Sequence, residues 1–115
     1  MEQSFIHLSD EPHISQIEHY QCCRNFVIPY IDKIQTMEAL SDIEFKRRNA
    51  CGLPIVSIAE VDKFLKEGYR DIFVYYCSGE INRRLSNRII AMPLSRTRII
   101  GLQIFLSGVK GFLHW

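Results

Sequence analysis

A short apolar run near the start of the chain stops at two adjacent carboxylates and a proline. Asp10, Glu11 and Pro12 follow the run Phe5–Leu8 after a single serine. A run of this length bounded by proline is typical of a buried strand, and Pro12 suits the first position of a following helix. The two carboxylates therefore fall at the carboxyl end of a strand. In parallel α/β folds that end binds ligands and carries the chemistry, so the pair is a candidate active site.

Strand-like and helix-like segments alternate along the chain. Strands separated by helical crossovers form parallel sheets through right-handed connections. Five strands fit either a small doubly wound sheet or part of a (β/α)8 barrel, and a chain ending on an apolar strand favours the barrel. We predict a partial α/β TIM barrel, with residues 1–115 as a single domain cut from a larger fold. The predicted strands are residues 5–9, 34–37, 53–58 and 71–77 and a strand from Gly111, and the helices are residues 13–27, a helix from Ser41 to Gly52, one ending at Gly68, and about 93–107.

Composition is that of a globular domain with balanced charge. The chain has 115 residues, is 47% hydrophobic and carries a net charge of +1. Residues 1–68 hold 7 basic and 11 acidic groups and residues 69–115 hold 7 and 2, so the two halves differ in sign. Attraction between neighbouring elements explains this asymmetry better than nucleic-acid binding does, because aromatic residues are not interleaved with the basic ones.

Targeting and metal-binding patterns are missing from the sequence. No apolar segment is long enough to span a bilayer, and no signal peptide is present, so we expect a cytoplasmic location without membrane association. The four cysteines form neither a C-x-x-C pair nor a Cys/His zinc spacing, and the four histidines lack metal-ligand spacing. We therefore expect no metal and no cofactor.

Several motifs together resemble the catalytic domain of glycoside hydrolase family 123, also described as domain of unknown function 4091. The resemblance covers nearly the whole chain and implies about strands 4 to 8 of a (β/α)8 barrel. The acidic pair and the terminal apolar motif are its specific parts. The matching segments are residues 7–13, 39–42, 54–57, 75–77, 86–88, 96–101 and 108–115.

The resemblance implies a defined reaction. Family members are similar to retaining β-N-acetylgalactosaminidases, in which the substrate's own 2-acetamido oxygen is the nucleophile, an exception to the usual two-carboxylate scheme. Asp10 would orient and stabilise the acetamido group, and Glu11 would protonate the leaving oxygen. Adjacent strand residues point to opposite faces, so both can reach one sugar only where the strand ends or bulges. Glu38 departs from the pattern of the family that the chain resembles, in which an Asp stands at this position.

Five further residues are candidates for substrate binding, and each has a structural alternative. Tyr75 and Tyr76 could contact the sugar or belong to the core, and Trp115 could form an aromatic floor or pack internally. Asn87 belongs to a loop that reads equally well as a solvated basic segment. Asp42 could face the pocket or stabilise a helix start.

Three classes of function remain open at this stage. The chain is a glycosidase or a fragment of one, a degenerate sugar-binding relative without turnover, or an unrelated small α/β regulator whose acidic pair binds a cation. A regulator of the third class would need a phosphoacceptor Asp at the end of one strand and a Lys at the end of a later strand, and the sequence lacks this pair. A carbohydrate is the expected partner, and exposed sheet edges predict self-association of a half barrel that is itself inactive.

Overall fold

A computed structural model describes residues 4–77, 85–86 and 88–114 of the chain. The chain divides into two compact units, Met1–Ile55 and Val56–Trp115. The strands follow one another in the sheet in sequence order, β1-β2-β3-β4-β5. Parallel strands in this order, joined by helical connections, have the topology of a (β/α) barrel. The predicted fold class, α/β with a partial barrel, is confirmed.

The first unit contains two complete parallel strands and most of a third. Strand β1 pairs with β2 through Phe5↔Gln35 and Ile6↔Thr36, and β2 pairs with β3 from Met37↔Leu53 to Ala39↔Ile55. The elements are β1 (Phe5–Ile6), a 3₁₀ turn (Ile14–Gln16), α1 (Ile17–Val27), a second 3₁₀ turn (Ile28–Tyr30), β2 (Gln35–Ala39), α2 (Glu44–Arg47) and β3 (Leu53–Ser57), which crosses into the second unit.

The core of the first unit lies between the strands and the helices. Its buried members are Ile17, Tyr20, Leu40, Phe45, Ala50 and Cys51, with Ile14 packed against them. The rings of Tyr20 and Phe45 meet edge to face, with centroids 5.5 Å apart. Such a pair contributes about 0.5–1.5 kcal/mol beyond the area it buries, so it fixes α1 against α2.

The second unit repeats the alternation of strand and helix. Its elements are α3 (Val61–Lys66), β4 (Phe73–Tyr76), α4 (Leu94–Ser107) and β5 (Gly111–His114). Strands β4 and β5 are parallel, from Phe73↔Gly111 to Tyr76↔His114. Gly108 ends α4 with a φ of +68°, the left-handed conformation that glycine adopts without a steric penalty. Phe64 and Ile72 are fully buried and anchor α3 and β4.

Two local predictions are wrong. Pro12 does not begin a helix: His13 is the N-cap of the first 3₁₀ turn, where its Nδ1 accepts a hydrogen bond from the Ser15 amide and its own amide donates to Gln16 Oε1. This reciprocal capping gives hydrogen-bond acceptors to the backbone amides of His13 and Ser15, which a helix beginning at Pro12 would not have provided. The second helix also ends at Arg47, ahead of Gly52, because Asn49 takes a φ of +51° and turns the chain.

In residues 4–77, 85–86 and 88–114, no helix is long and apolar enough to cross a bilayer.

Candidate active site

The acidic pair lies in an exposed turn after β1. Asp10 and Glu11 are both exposed, four and five residues beyond the last strand residue, Ile6. Glu11 has a φ of +42°, a conformation that costs a non-glycine residue about 1–2 kcal/mol. Strain of this kind persists only where surrounding contacts impose it, and it is concentrated at functional sites. The turn also interrupts the strand alternation that would send adjacent side chains to opposite faces.

Contacts on the helix side hold this turn in place. Pro12 is buried, and His13 caps the following 3₁₀ turn. Ile14 then packs against the core of the first unit. The acidic pair is therefore fixed mainly by the helical segment that follows it, because β1 contributes only two residues of pairing.

Asp42 lies at the same end of the parallel sheet as the acidic pair. It is half-buried, three residues beyond the end of β2. Its Oδ1 accepts a hydrogen bond from the Glu44 amide, 3.0 Å away, at the start of α2. A carboxylate there satisfies an otherwise unpaired amide and complements the helix dipole. Asp42 thus stabilises the start of a helix, one of the two roles that the sequence allowed. Its contact with substrate stays a prediction.

The two strand-end tyrosines belong to the second unit and differ in orientation. Tyr75 and Tyr76 are the last residues of β4 and both are buried, on opposite faces of the sheet because strand residues alternate. The Tyr76 hydroxyl lies 2.7 Å from Nδ1 of His114 on β5, and its ring packs on Phe112 with centroids 5.5 Å apart.

Tyr76 faces the helical side of the second unit. Together with Val61, Ile100 and Phe112 it lines a mainly apolar cleft of about 500 Å³. Arg88 lies over the Phe112 ring, 5.4 Å from its centroid. These contacts leave Tyr75 as the tyrosine on the other face of the sheet. The remaining two predicted site residues, Asn87 and Trp115, lie outside the described residues.

A buried polar cluster in the first unit was not predicted. Glu38 on β2 is completely buried, with Thr36 on the same face of the strand and Tyr20 and Arg24 of α1 against it. Hydrogen bonds of normal geometry to described residues are missing for Tyr20 Oη, Arg24 Nε, Thr36 Oγ1 and both Glu38 carboxylate oxygens. The i,i+2 spacing of Thr36 and Glu38 and the i,i+4 spacing of Tyr20 and Arg24 were the available signals.

Burial dominates the electrostatics of this cluster. It raises the pKa of the Glu38 carboxyl, and it outweighs the opposing effects of the Tyr20 hydroxyl, the Arg24 guanidinium and Thr36. Burial and the neighbouring Glu38 also raise the pKa of the Tyr20 hydroxyl. Burial raises the pKa of the Cys51 thiol to about 11. The cluster therefore favours neutral forms of its acidic groups.

The part of the chain that the structure describes holds no candidate metal centre. There, no three His, Cys, Asp or Glu side chains are grouped in a way that could hold a metal ion.

Comparison with known proteins identifies the family. A comparison with curated proteins gave no match. The family described as glycoside hydrolase 123, catalytic domain, matches residues 1–115. This match covers the whole chain, including the turn with the acidic pair and the strand-end tyrosines. The chain therefore belongs to the glycoside hydrolase 123 family, within its catalytic domain.

Proposed function

We propose that this glycoside hydrolase domain acts on 2-acetamido-2-deoxy sugars of the N-acetylgalactosaminide type, with retention and by substrate-assisted catalysis. The observation that supports this most directly is the exposed Asp10–Glu11 pair, in a strained turn beyond the carboxyl end of a parallel strand. Membership of the family supports a carbohydrate substrate. Residues 1–115 would form one part of the barrel.

The two carboxylates would have different tasks. Asp10 lies beside the acetamido group and its carboxylate stabilises the positive charge that develops as the acetamido oxygen attacks the anomeric carbon. Glu11 gives its proton to the leaving glycosidic oxygen and then accepts one from the water that opens the oxazoline. The left-handed conformation of Glu11 supports this division, since consecutive extended residues would face apart.

Substitution of Glu11 tests the assignment of the general acid. In an active chain that supplies the remaining barrel strands, Glu11→Gln should lower kcat/KM for substrates with basic leaving groups by about 10²–10⁴-fold and nearly spare kcat/KM for activated phenols, because kcat/KM reports the step that breaks the glycosidic bond. Glu18→Gln, at an exposed carboxylate on α1, is the matched control. Equal slowing of both substrate types would contradict the role given to Glu11.

Substitution of Asp10 tests the assisting carboxylate. Asp10→Asn should slow both leaving-group classes, because Asp10 acts on the nucleophile. A substrate with a 2-hydroxyl in place of the 2-acetamido group should lose hydrolysis to a similar extent. Cleavage of 2-hydroxy and 2-acetamido glycosides at equal rates would rule out the substrate-assisted mechanism.

The alternative is a degenerate relative that binds the sugar without turnover. Tyr75, Tyr76, Asn87, Trp115 and Asp42 are the proposed substrate contacts in both cases. Binding of N-acetylgalactosamine by the completed barrel, measured by calorimetry, without hydrolysis of any aryl glycoside would favour the alternative. The 115-residue chain by itself should show little activity, because a barrel enzyme takes substrate contacts from several strands.

A further inference from the structure

Glu38 occupies the interface between strand and helix in the first unit. Its side chain has no exposed surface, and Thr36, on the same face of β2, is almost fully buried. Tyr20 and Arg24, one turn apart on α1, cover this face. A glutamate here is an unusual choice, since a buried carboxylate loses its hydration and must be compensated by the groups around it.

Compensation in this cluster is incomplete. The Tyr20 and Thr36 hydroxyls lie close enough to Glu38 to favour its carboxylate form, but neither hydroxyl oxygen and neither carboxylate oxygen forms a hydrogen bond of normal geometry with a described residue. An unsatisfied buried polar atom costs about 1–3 kcal/mol, and more when it is charged. The neutral carboxyl is therefore the form that this site tolerates better.

The charged and titratable groups facing Glu38 come from three segments. Tyr20 and Arg24 belong to α1, His7 follows β1, and Cys51 precedes β3. Arg24 and His7 favour the carboxylate, but burial acts against it more strongly. Lys46 on α2 acts on Cys51. Among the groups that act on Glu38, the cationic ones therefore do not reverse the preference for the neutral acid.

The helix that covers Glu38 also fixes the acidic turn. Ile14 starts the helical segment three residues after Glu11, and Ile17 and Tyr20 bury their side chains in the same core. Tyr20 contacts both the Phe45 ring and the Glu38 site. A change in how α1 packs on β2 therefore moves the segment that holds Asp10 and Glu11.

We propose that Glu38 is a positioning residue: its neutral carboxyl lets α1 pack closely on β2, and its ionisation loosens α1 together with the Asp10–Pro12 turn. The effect of Glu38 ionisation on stability depends only on the buried polar cluster, whereas its effect on catalysis rests on the proposed function. Glu38 touches no substrate in this scheme and acts through Tyr20 and α1.

The expected sign follows from proton linkage. The unfolded chain ionises Glu38 near the ordinary value of 4.5, and the folded chain does so at a higher pH. The stability that this difference contributes is fully present below pH 4.5 and is lost as the pH rises through the folded pKa. Glu38→Gln keeps the shape of the neutral acid and cannot ionise, so it should not show this loss.

The first measurement compares urea unfolding of the chain and of Glu38→Gln between pH 4 and pH 9. The unfolding constant of the parent relative to the variant should rise by up to about tenfold per pH unit above the ordinary glutamate value. The same comparison in a His7→Gln background excludes the nearby His7 imidazole as the source of the pH dependence. Glu18→Gln, on the exposed side of α1, should give a ratio that does not grow with pH. A ratio for Glu38→Gln that is equally flat would overturn the proposal.

The second measurement follows the acidic turn directly. As the pH rises above the ordinary glutamate range, backbone amide resonances of Asp10 and Glu11 should show a shift step in the parent that is absent in Glu38→Gln. In the completed barrel, kcat should fall as Glu38 ionises in the parent and should not show this step in Glu38→Gln, while KM changes little. Identical amide shifts in the two chains would contradict the positioning role. If the unfolding and amide results are as expected but the completed barrel hydrolyses no substrate, the proposed function is contradicted and the positioning role of Glu38 is not.

Discussion

At the scale of single residues, Gly52 shows how closely the first unit is packed. A Cβ atom added to Gly52 would lie 2.1 Å from the Thr36 side-chain oxygen and 2.4 Å from the Thr36 carbonyl oxygen. Both distances are far below van der Waals contact, and the carbonyl belongs to β2, which cannot move without breaking its pairing. Glycine is therefore required here for close approach of two backbones, although the sequence suggested that Gly52 ends a helix.

Substitution of two glycines should have opposite effects on stability. Gly52→Ala should destabilise the chain by about 1–3 kcal/mol or more, because it overpacks a rigid contact. Gly101→Ala should stabilise it by about 0.5–1 kcal/mol, since Gly101 lies inside α4 with no atom near its added Cβ. Urea denaturation of both variants measures this. A neutral effect of Gly52→Ala would show that β2 and the Gly52 segment separate easily.

Residue patterns predicted the acidic pair but not the Glu38 cluster. Asp10 and Glu11 were found because a proline and the end of an apolar run mark their position within a few residues. The Glu38 site is made by residues on α1 and β2 that are far apart in sequence. Their polar spacings resemble those of any solvated face, and only tertiary packing shows that both faces meet.

At the scale of elements, α4 has the least decisive sequence pattern. Its apolar residues surround most of the helix and include Ile99, Leu102, Ile104, Phe105 and Leu106. The structure buries Ile100, while Phe105 and Leu106 are 80% and 72% exposed. Its boundaries, in contrast, were predictable, because Pro93 and Gly108 flank the helix. Apolar residues on all sides give no preferred face, so tertiary contacts decide the orientation.

Two truncations in α4 separate its buried and exposed sides. Ile100→Ala should lower the free energy of unfolding by about 2–5 kcal/mol, because it leaves a cavity beneath the helix. Phe105→Gln should change it by no more than about 0.5 kcal/mol, since the ring is mostly exposed. Thermal unfolding of the two variants tests the observed orientation. A larger loss for Phe105→Gln would mean that the opposite side of α4 is the packed one.

At the scale of the whole chain, strand order was predictable and strand length was not. Alternating strands and helices favour parallel neighbours in sequence order, as observed, because right-handed crossovers leave few other arrangements. Strand length depends on where partners end: the apolar run from Phe5 extends to Leu8, yet β1 pairs through two residues only. Among the described strands, β1 and β5 are the outermost in the order.

We predict that the chain self-associates. The outermost strands β1 and β5 can add further strands, and the structure leaves apolar surface exposed at Phe26, Tyr30, Leu94, Phe105 and Leu106. Sedimentation equilibrium should give an average mass that rises with concentration above the monomer value of 13.5 kDa. A single monomeric species across micromolar concentrations would contradict this expectation.

The two-residue length of β1 has a consequence for the timing of local motion. Amide hydrogens of Phe5 and Ile6 should exchange with deuterium through brief fraying of this short pairing, without unfolding of the unit. Amides in α1 near Tyr20 should exchange far more slowly, because opening them exposes the core. The turn with Asp10 and Glu11 joins these two regimes. We therefore expect the acidic pair to stay with the helical segment when the pairing of β1 opens.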